Sequence, residues 1–403
     1  MNRADHAEEM PLSDVRVLDL SRVLAGPSCA AFLADLGADV IKVEGPDGGD
    51  ETRTWEPRVG GESAAFITVN RNKRGVAVDL ACKEGVEVLL DLVKSADVVV
   101  ENFRTGKMKS YGLDYQKLKN ANPKIILCSI SAFGQSGPLA DRPGYEAVMQ
   151  AYSGIMAITG EENGSPVRTG VSAIDLTTGI IGAFAITAAL RKRDRTGFGE
   201  WIDVSLMETA ASLLSYHATG VLFDGVEPTR RGSEHPSLVP YRVFDCACGQ
   251  QVFFAASNDK LWSRLCRVLG IESVIDDPRF VNVSRRVHNR RDLDEIVGGA
   301  IASINRDVLL PLLHEAGIPA SPVNSVGQFL NSPQAIFRKT MQSMKHSELG
   351  DVSVPGVPVK FLDTDLSIRK SSPTYGEDTD EVLREVGYEA DKIRQLRNHQ
   401  IIR

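Results

Sequence analysis

Six cysteines, Cys29, Cys82, Cys128, Cys246, Cys248 and Cys266, are spread over 403 residues without one C-x-x-C pair, and seven histidines give no H-x-x-x-H spacing. Neither pattern builds a zinc site, so no metal is expected. The thiols read as the reduced cysteines of a cytosolic protein. No unbroken apolar run reaches the roughly 18 residues of a membrane span. Basic charge is also in deficit: a net charge of -7 and a pI near 5.6 argue against a nucleic-acid or anionic-membrane partner. Residues 1–10, MNRADHAEEM, are polar and acidic, unlike a secretory signal or an Arg-rich transit peptide, and a cytoplasmic location is expected. The chain further lacks a recognisable nucleophile-and-base pair.

What is present is a soluble α/β pattern. The length predicts two or three domains, and 42% hydrophobic with 25% charged residues is ordinary for a packed core. The run VRVLDLS over 15–21 reads as a buried strand, Gly26-Pro27 opens a helix that Gly37 stops, and DVIKVE over 39–44 is the next strand. Glu44 would suit a ribose-binding carboxylate. The loop LAGPSC over 24–29, however, has one glycine and a proline where G-x-G-x-x-G needs three glycines, so NAD is a poor ligand for this unit. Strands over 75–80, 97–103 and 124–130 alternate with helices, one carrying Val86, Leu89, Leu90 and Val93 at helical spacing. A mostly parallel sheet covered on both faces follows. Its ligands would bind at the strand ends, 21–25, Glu44, 102–104 and 129–133. Two basic clusters, RNKR over 71–74 and RTGKMK over 104–109, lie near those ends and suit a phosphate-bearing ligand, although a solvated loop is the commoner use of such charges.

A Gly/Pro-rich loop, FGQSGPLADRPG over 133–144, precedes an apolar stretch beginning at Tyr145-Glu146. The run SAIDLTTG over 172–179 then places one aspartate, Asp175, at the start of an apolar helix expected over 176–191. The bland reading is a helix cap. The functional one is a nucleophile: an ordinary carboxylate, with a pKa of about 3.9, is ionised at neutral pH and attacks an activated acyl carbon without a base. A further strand over 200–205 and a helix over 207–222 follow. Composition then changes: residues 236–322 hold a hairpin over 241–256 and charged helices, reading as a smaller α+β domain.

The segments DLSRVLAGP, LGADVIKVE, NRNKR, VENF, GYEA over 144–147, DLTTG over 175–179 and RTGFGE over 195–200 together resemble the class III coenzyme A transferases, a family that includes formyl-CoA:oxalate and carnitine CoA-transferases. The resemblance runs through almost the whole chain. The runs DETRTW over 50–55, SLVPYR over 237–242 and RVHNRR over 286–291 are similar to the succinyl-CoA-dependent dicarboxylate branch, typified by succinate:hydroxymethylglutarate CoA-transferase. It implies a Rossmann-like large domain over 1–225, an inserted small α+β domain over 226–325, a return segment over 326–403 completing the large domain, and an interlocked, ring-shaped homodimer. It also implies Asp175 as the catalytic carboxylate. Coenzyme A would lie along Leu24, Ala25, Val78, Asp79, Leu80, Asn102, Phe103, Arg104, Tyr145 and Glu146. Gly45, Ser110 and Pro143 stand where the oxalate enzyme has cationic residues, with Lys109 and Arg142 as adjacent substitutes. The glycine-rich flap of that enzyme is replaced by AASND over 255–259.

Chemistry of this class runs through a mixed anhydride and needs no permanently bound cofactor; acyl-CoA and a carboxylic acid are the substrates. A dicarboxylate acceptor needs a cation for its second carboxylate, and Arg53, Arg74 and Arg168 lie nearest the motif segments. Two other readings compete. An acyl-CoA racemase of the same superfamily would need a histidine where Tyr145-Glu146 stands, and a nonenzymatic nucleotide-binding α/β protein would need no carboxylate chemistry at all.

Overall fold

The computed structural model describes residues 10–247 and 249–403, and the chain forms two compact units. Cys248, within the hairpin expected over 241–256, lies outside the described residues.

The first unit holds residues 10–155, 168–225 and 333–403. The second therefore includes 156–167 and runs to Ser332, which differs from a division at 225 and 325. The centre of the first unit is a six-stranded parallel sheet: β1 (Arg16–Asp19), β2 (Asp39–Glu44), β3 (Lys73–Ala77), β4 (Val98–Glu101), β5 (Ile126–Ser131) and β6 (Trp201–Ser205). The spatial order is β3-β2-β1-β4-β5-β6, the doubly wound order of a Rossmann sheet. Strand residues such as Val17, Val98, Val99 and Val100 are fully buried, because both faces of a parallel sheet are covered. On one face α1 (Ala25–Asp35) and α4 (Ala173–Thr196) pack with Leu33, Val40, Ile126 and Ile186. On the other, α2 (Lys83–Lys94) packs with Val76, Leu127 and the C-terminal helices Thr379–Glu385 and Ala390–Asn398. The return segment also closes the β3 edge: Gly75 N donates to Asp378 Oδ2 (2.7 Å), and Val78 bridges Ile402.

Helix α4 begins three residues before its expected start and extends to Thr196. By length and composition it is also apolar enough to cross a membrane, which a count of unbroken apolar runs misses because Asp175 and small polar residues interrupt it; half of that stretch is buried in the protein. Its glycines explain how close it comes to α1. A Cβ at Gly179 would sit 2.9 Å from Ser28 Cβ and 3.0 Å from the Ala25 carbonyl oxygen. The single helix expected over 207–222 is two, α5 (Leu206–Leu214) and Tyr216–Asp224, broken at Ser215, whose φ is +47°.

In the second unit the expected hairpin forms, Tyr241–Asp245 against Gln251–Ala255, and Ala320–Pro322 adds a third antiparallel strand. Helices Asp259–Leu269, Arg290–Ile301 and Arg306–Glu315 close a core around Phe254, Trp262, Leu265 and Phe280. Arg286 of the RVHNRR run is fully buried there, donating to the carbonyls of Val239 (3.1 Å) and Phe280 (2.8 Å) and pairing with Asp259. Its role is structural.

Candidate active site

In a sheet of this order the chain winds one way from β1 and the other way from β4, so a crevice opens between their carboxyl ends. The loop leaving β1 and the loop leaving β4 meet there. Asn102 joins them, accepting from Arg22 N (2.8 Å) and donating to the Arg22 carbonyl (2.6 Å). A cavity of about 210 Å³ fills the crevice. That is smaller than the roughly 300–1,000 Å³ of a closed ligand site.

Of the residues expected around coenzyme A, Leu24, Ala25, Asn102, Phe103, Arg104, Arg142, Tyr145 and Glu146 line this cavity, and so does Asp175. Leu24 is the N-cap of α1, whose first N–H groups receive no side-chain cap. Tyr145 precedes α3 (Glu146–Ser153), which places Glu146 in its first turn. Asp175 is the third residue of α4, not its cap; Ser172 holds the cap position. The capping explanation of this aspartate therefore fails.

Asp175 is only 8% exposed and Glu146 6%. Burial, and then the charge of Glu146, push the Asp175 carboxyl up from 3.8 to about 7. The expectation that Asp175 is fully ionised at neutral pH is corrected accordingly. A one-dimensional sequence could not show a second carboxylate 29 positions away turned to the same cavity. Glu146 Oε1 accepts from Gln150 Nε2 (2.6 Å) and from Ile174 N (3.4 Å), the residue just before Asp175. Gln150, fully buried, also binds Thr169 through both ends of its amide (2.8 and 2.9 Å). The acidic pair is thus held by a polar network on the chain leading into α4, an arrangement that tunes a carboxylate for chemistry.

Four residues expected at the ligand do not line the cavity. Val78 is core beside the C-terminal strand bridge, Asp79 N donates to the Ile401 carbonyl, Leu80 packs against the same core, and Lys109 is exposed. None of the three arginines considered for an acceptor lines it either. Arg53 forms a bidentate pair with Glu44 (2.9 and 2.7 Å), and Arg74 pairs with Asp39 (2.7 Å) and Glu385 (2.5 Å). Arg168 is exposed. The RNKR cluster serves the interior: Arg71 pairs with Asp35, and Lys73 with Asp19 (2.8 Å). Phosphate binding by that cluster is corrected to structural pairing. Glu44, held by Arg53 and by Asp50 N, is equally committed.

Arg22 and Val23, inside the strand end expected over 21–25, and Thr105 of the RTGKMK cluster also line the cavity, and Glu51 is a wall residue that sequence reading passed over. Glu51 comes from a short 3-10 turn (Glu51–Thr54) that no periodicity marks.

CoA-transferase family III matches residues 12–379 of the chain. A succinyl-CoA:glutarate CoA-transferase of Homo sapiens is 39% identical over 377 residues, covering 93% of this chain and 86% of its own. A succinate–glutarate CoA-transferase of Agrobacterium fabrum is 41% identical over 385 residues, covering 93% and 96%. The crystal structure of a CAIB/BAIF family protein from Brucella suis, 39% identical, superimposes with a TM-score of 0.83 over 94% of this chain and 99% of that one. With the parallel sheet, the cavity at its switch point and a match across nearly the whole length, the chain belongs to CoA-transferase family III.

Proposed function

We propose that the protein moves coenzyme A from succinyl-CoA to a free dicarboxylic acid of the glutarate type, through a mixed anhydride on Asp175. The observation that carries this reading is the buried Asp175 carboxylate beside Glu146 in a cavity at the switch point of the sheet. The activities named for the human and Agrobacterium relatives support the substrate pair.

The ionised Asp175 attacks the thioester carbonyl; the C–S bond breaks, and the products are an aspartyl–succinyl anhydride and CoA thiolate. Thiolate attacks the aspartyl carbonyl, releasing succinate and leaving CoA as a thioester on Asp175. The acceptor carboxylate attacks that thioester, giving a new anhydride and thiolate again. A last attack by thiolate on the acceptor's acyl carbon delivers the new acyl-CoA and regenerates Asp175. Each attack passes through a tetrahedral oxyanion, for which the backbone N–H groups at the start of α1, whose Leu24 and Ala25 line the cavity, would be donors. Glu146 keeps Asp175 a strong nucleophile by keeping its pKa high. The free carboxylate of a dicarboxylate would pair with Arg22, Arg104 or Arg142, the arginines of the cavity wall.

The same reading includes a homodimer, for which α4 offers a surface. Leu176, Ile180 and Phe184 lie at successive turns of α4 with exposures of 41%, 54% and 73%, an apolar stripe that a second copy would cover and that would keep water from the anhydride. A panel of succinyl-CoA and acetyl-CoA donors against mono- and dicarboxylates, read by mass spectrometry, tests the function. Succinyl-CoA with glutarate outperforms acetyl-CoA with a monocarboxylate; equal rates for both classes of acid contradict the substrate assignment, and no exchange with any pair contradicts the activity.

A further inference from the structure

The loop from β1 to α1 forms one wall of the cavity, and its conformation is one its sequence disfavours. Val23 has φ +70°. A β-branched residue in the left-handed region is a steric outlier that persists only where its surroundings impose it. The surroundings here are specific. Val23 N donates to both oxygens of Asp50 (3.3 and 3.2 Å). Lys42 pairs with Asp50 (2.9 Å) and donates to the Ser21 carbonyl, and both charged side chains are fully buried. Asp50 also accepts from Thr52 N (3.0 Å) and Thr52 Oγ1 (2.8 Å), while its own N donates to Glu44 (2.8 Å). Ser21 N is taken by Asp19 and both backbone groups of Arg22 by Asn102.

Two fully buried charges are a poor way to gain stability, since a well-packed apolar pair of similar volume is often as good or better. Burial opposes the charge on both, yet Asp50 and Asp19 raise Lys42 above the usual lysine range and Lys42 draws Asp50 below the usual carboxylate range, so the pair is ionised. We propose that Lys42 and Asp50 are positioning residues of the transferase site: they clamp the β1–α1 loop from beneath, hold Val23 in its strained conformation, and so align the wall that receives acyl-CoA. The proposal rests on reading this cavity as the acyl-CoA site. Arg22, Val23, Leu24 and Glu51, which flank the clamped points, all face the cavity.

The test replaces the pair by apolar residues, Lys42→Met with Asp50→Leu, in the full-length protein. Circular dichroism and thermal melting report the fold, and acyl exchange reports function. The doubly substituted protein keeps a cooperative melt but loses kcat/KM by about tenfold or more. Adding Val23→Gly, which adopts positive φ without strain, restores most of that loss. Rescue by relieving backbone strain at Val23, without restoring either charge, is an effect that a merely structural ion pair does not produce. A folded double variant with wild-type kcat/KM, or a loss that Val23→Gly leaves unchanged, overturns the proposal. Should the double variant fail to fold, Asp50→Glu decides: it keeps both buried charges and shifts the carboxylate that Val23 N donates to. A tenfold loss rescued by Val23→Gly supports the clamp, and unchanged activity overturns it. Wild-type protein with no acyl exchange would instead remove the reading of the cavity beneath the proposal.

Discussion

Replacing Asp175 by asparagine is expected to stabilise the protein while silencing it, and the gain grows with pH. In the folded chain burial and Glu146 lift this carboxyl to about 7 from an ordinary 3.8. Between those two values the folded state holds a proton that the unfolded state has released. The stability tied to the protonated carboxyl is therefore complete below about pH 4 and is lost as pH rises through 7. Roughly three pKa units at about 1.36 kcal/mol each set a ceiling of about 4 kcal/mol above pH 7, and about 1.5 kcal/mol at pH 5. Asparagine has the same shape and does not ionise. The variant's advantage over wild type should then widen by about 2 to 3 kcal/mol between pH 5 and pH 8, a difference of a few degrees in Tm. Paired thermal melts of the two proteins across that range measure it, and the titrating groups remote from Asp175 cancel in the difference. A gap that stays constant with pH, or a wild type that is the more stable at pH 8, refutes the reasoning.

Asp175→Ala should abolish acyl exchange and leave the circular dichroism spectrum and CoA affinity intact, and near wild-type turnover would contradict the assignment of the nucleophile. Because only the ionised carboxylate attacks, kcat/KM should rise with pH through an acid limb near 7. Glu146→Gln removes the like charge and should move that limb to lower pH, short of an ordinary carboxylate because burial remains; a limb that does not move removes Glu146 from the account. Gly179→Ala should lower stability by about 1 to 3 kcal/mol, since the new methyl would sit 2.9 Å from Ser28 Cβ and 3.0 Å from the Ala25 carbonyl. An unchanged Tm would show that α1 and α4 can separate freely.

Much of the fold was legible in the order of patterns: buried strands alternating with helices named the parallel sheet, and the strand-end rule pointed to the loops that form the cavity. What failed did so for physical reasons. Sequence shows a cluster of charges but not its partners, so RNKR read as a phosphate site although Asp35, Asp19 and Asp39 neutralise it inside the protein. Arg53 failed the same way against Glu44, nine positions earlier. Asp175 lines the cavity as expected, yet its ionisation was misjudged, because burial and the approach of Glu146 are tertiary facts. The conformation of Val23 could not have been suspected: nothing in a Ser-Arg-Val-Leu run marks a valine in the left-handed region, where the Asp50 carboxylate accepts from its N–H.

The central claim is a covalent acyl intermediate on one side chain, and trapping it is the most direct test. Hydroxylamine added while the enzyme turns over succinyl-CoA intercepts an activated carboxyl as a hydroxamate, and peptide mass mapping locates it. The account predicts the modification on Asp175, dependent on donor and absent from Asp175→Asn. An unmodified Asp175 in an enzyme that is exchanging CoA at full rate would contradict it.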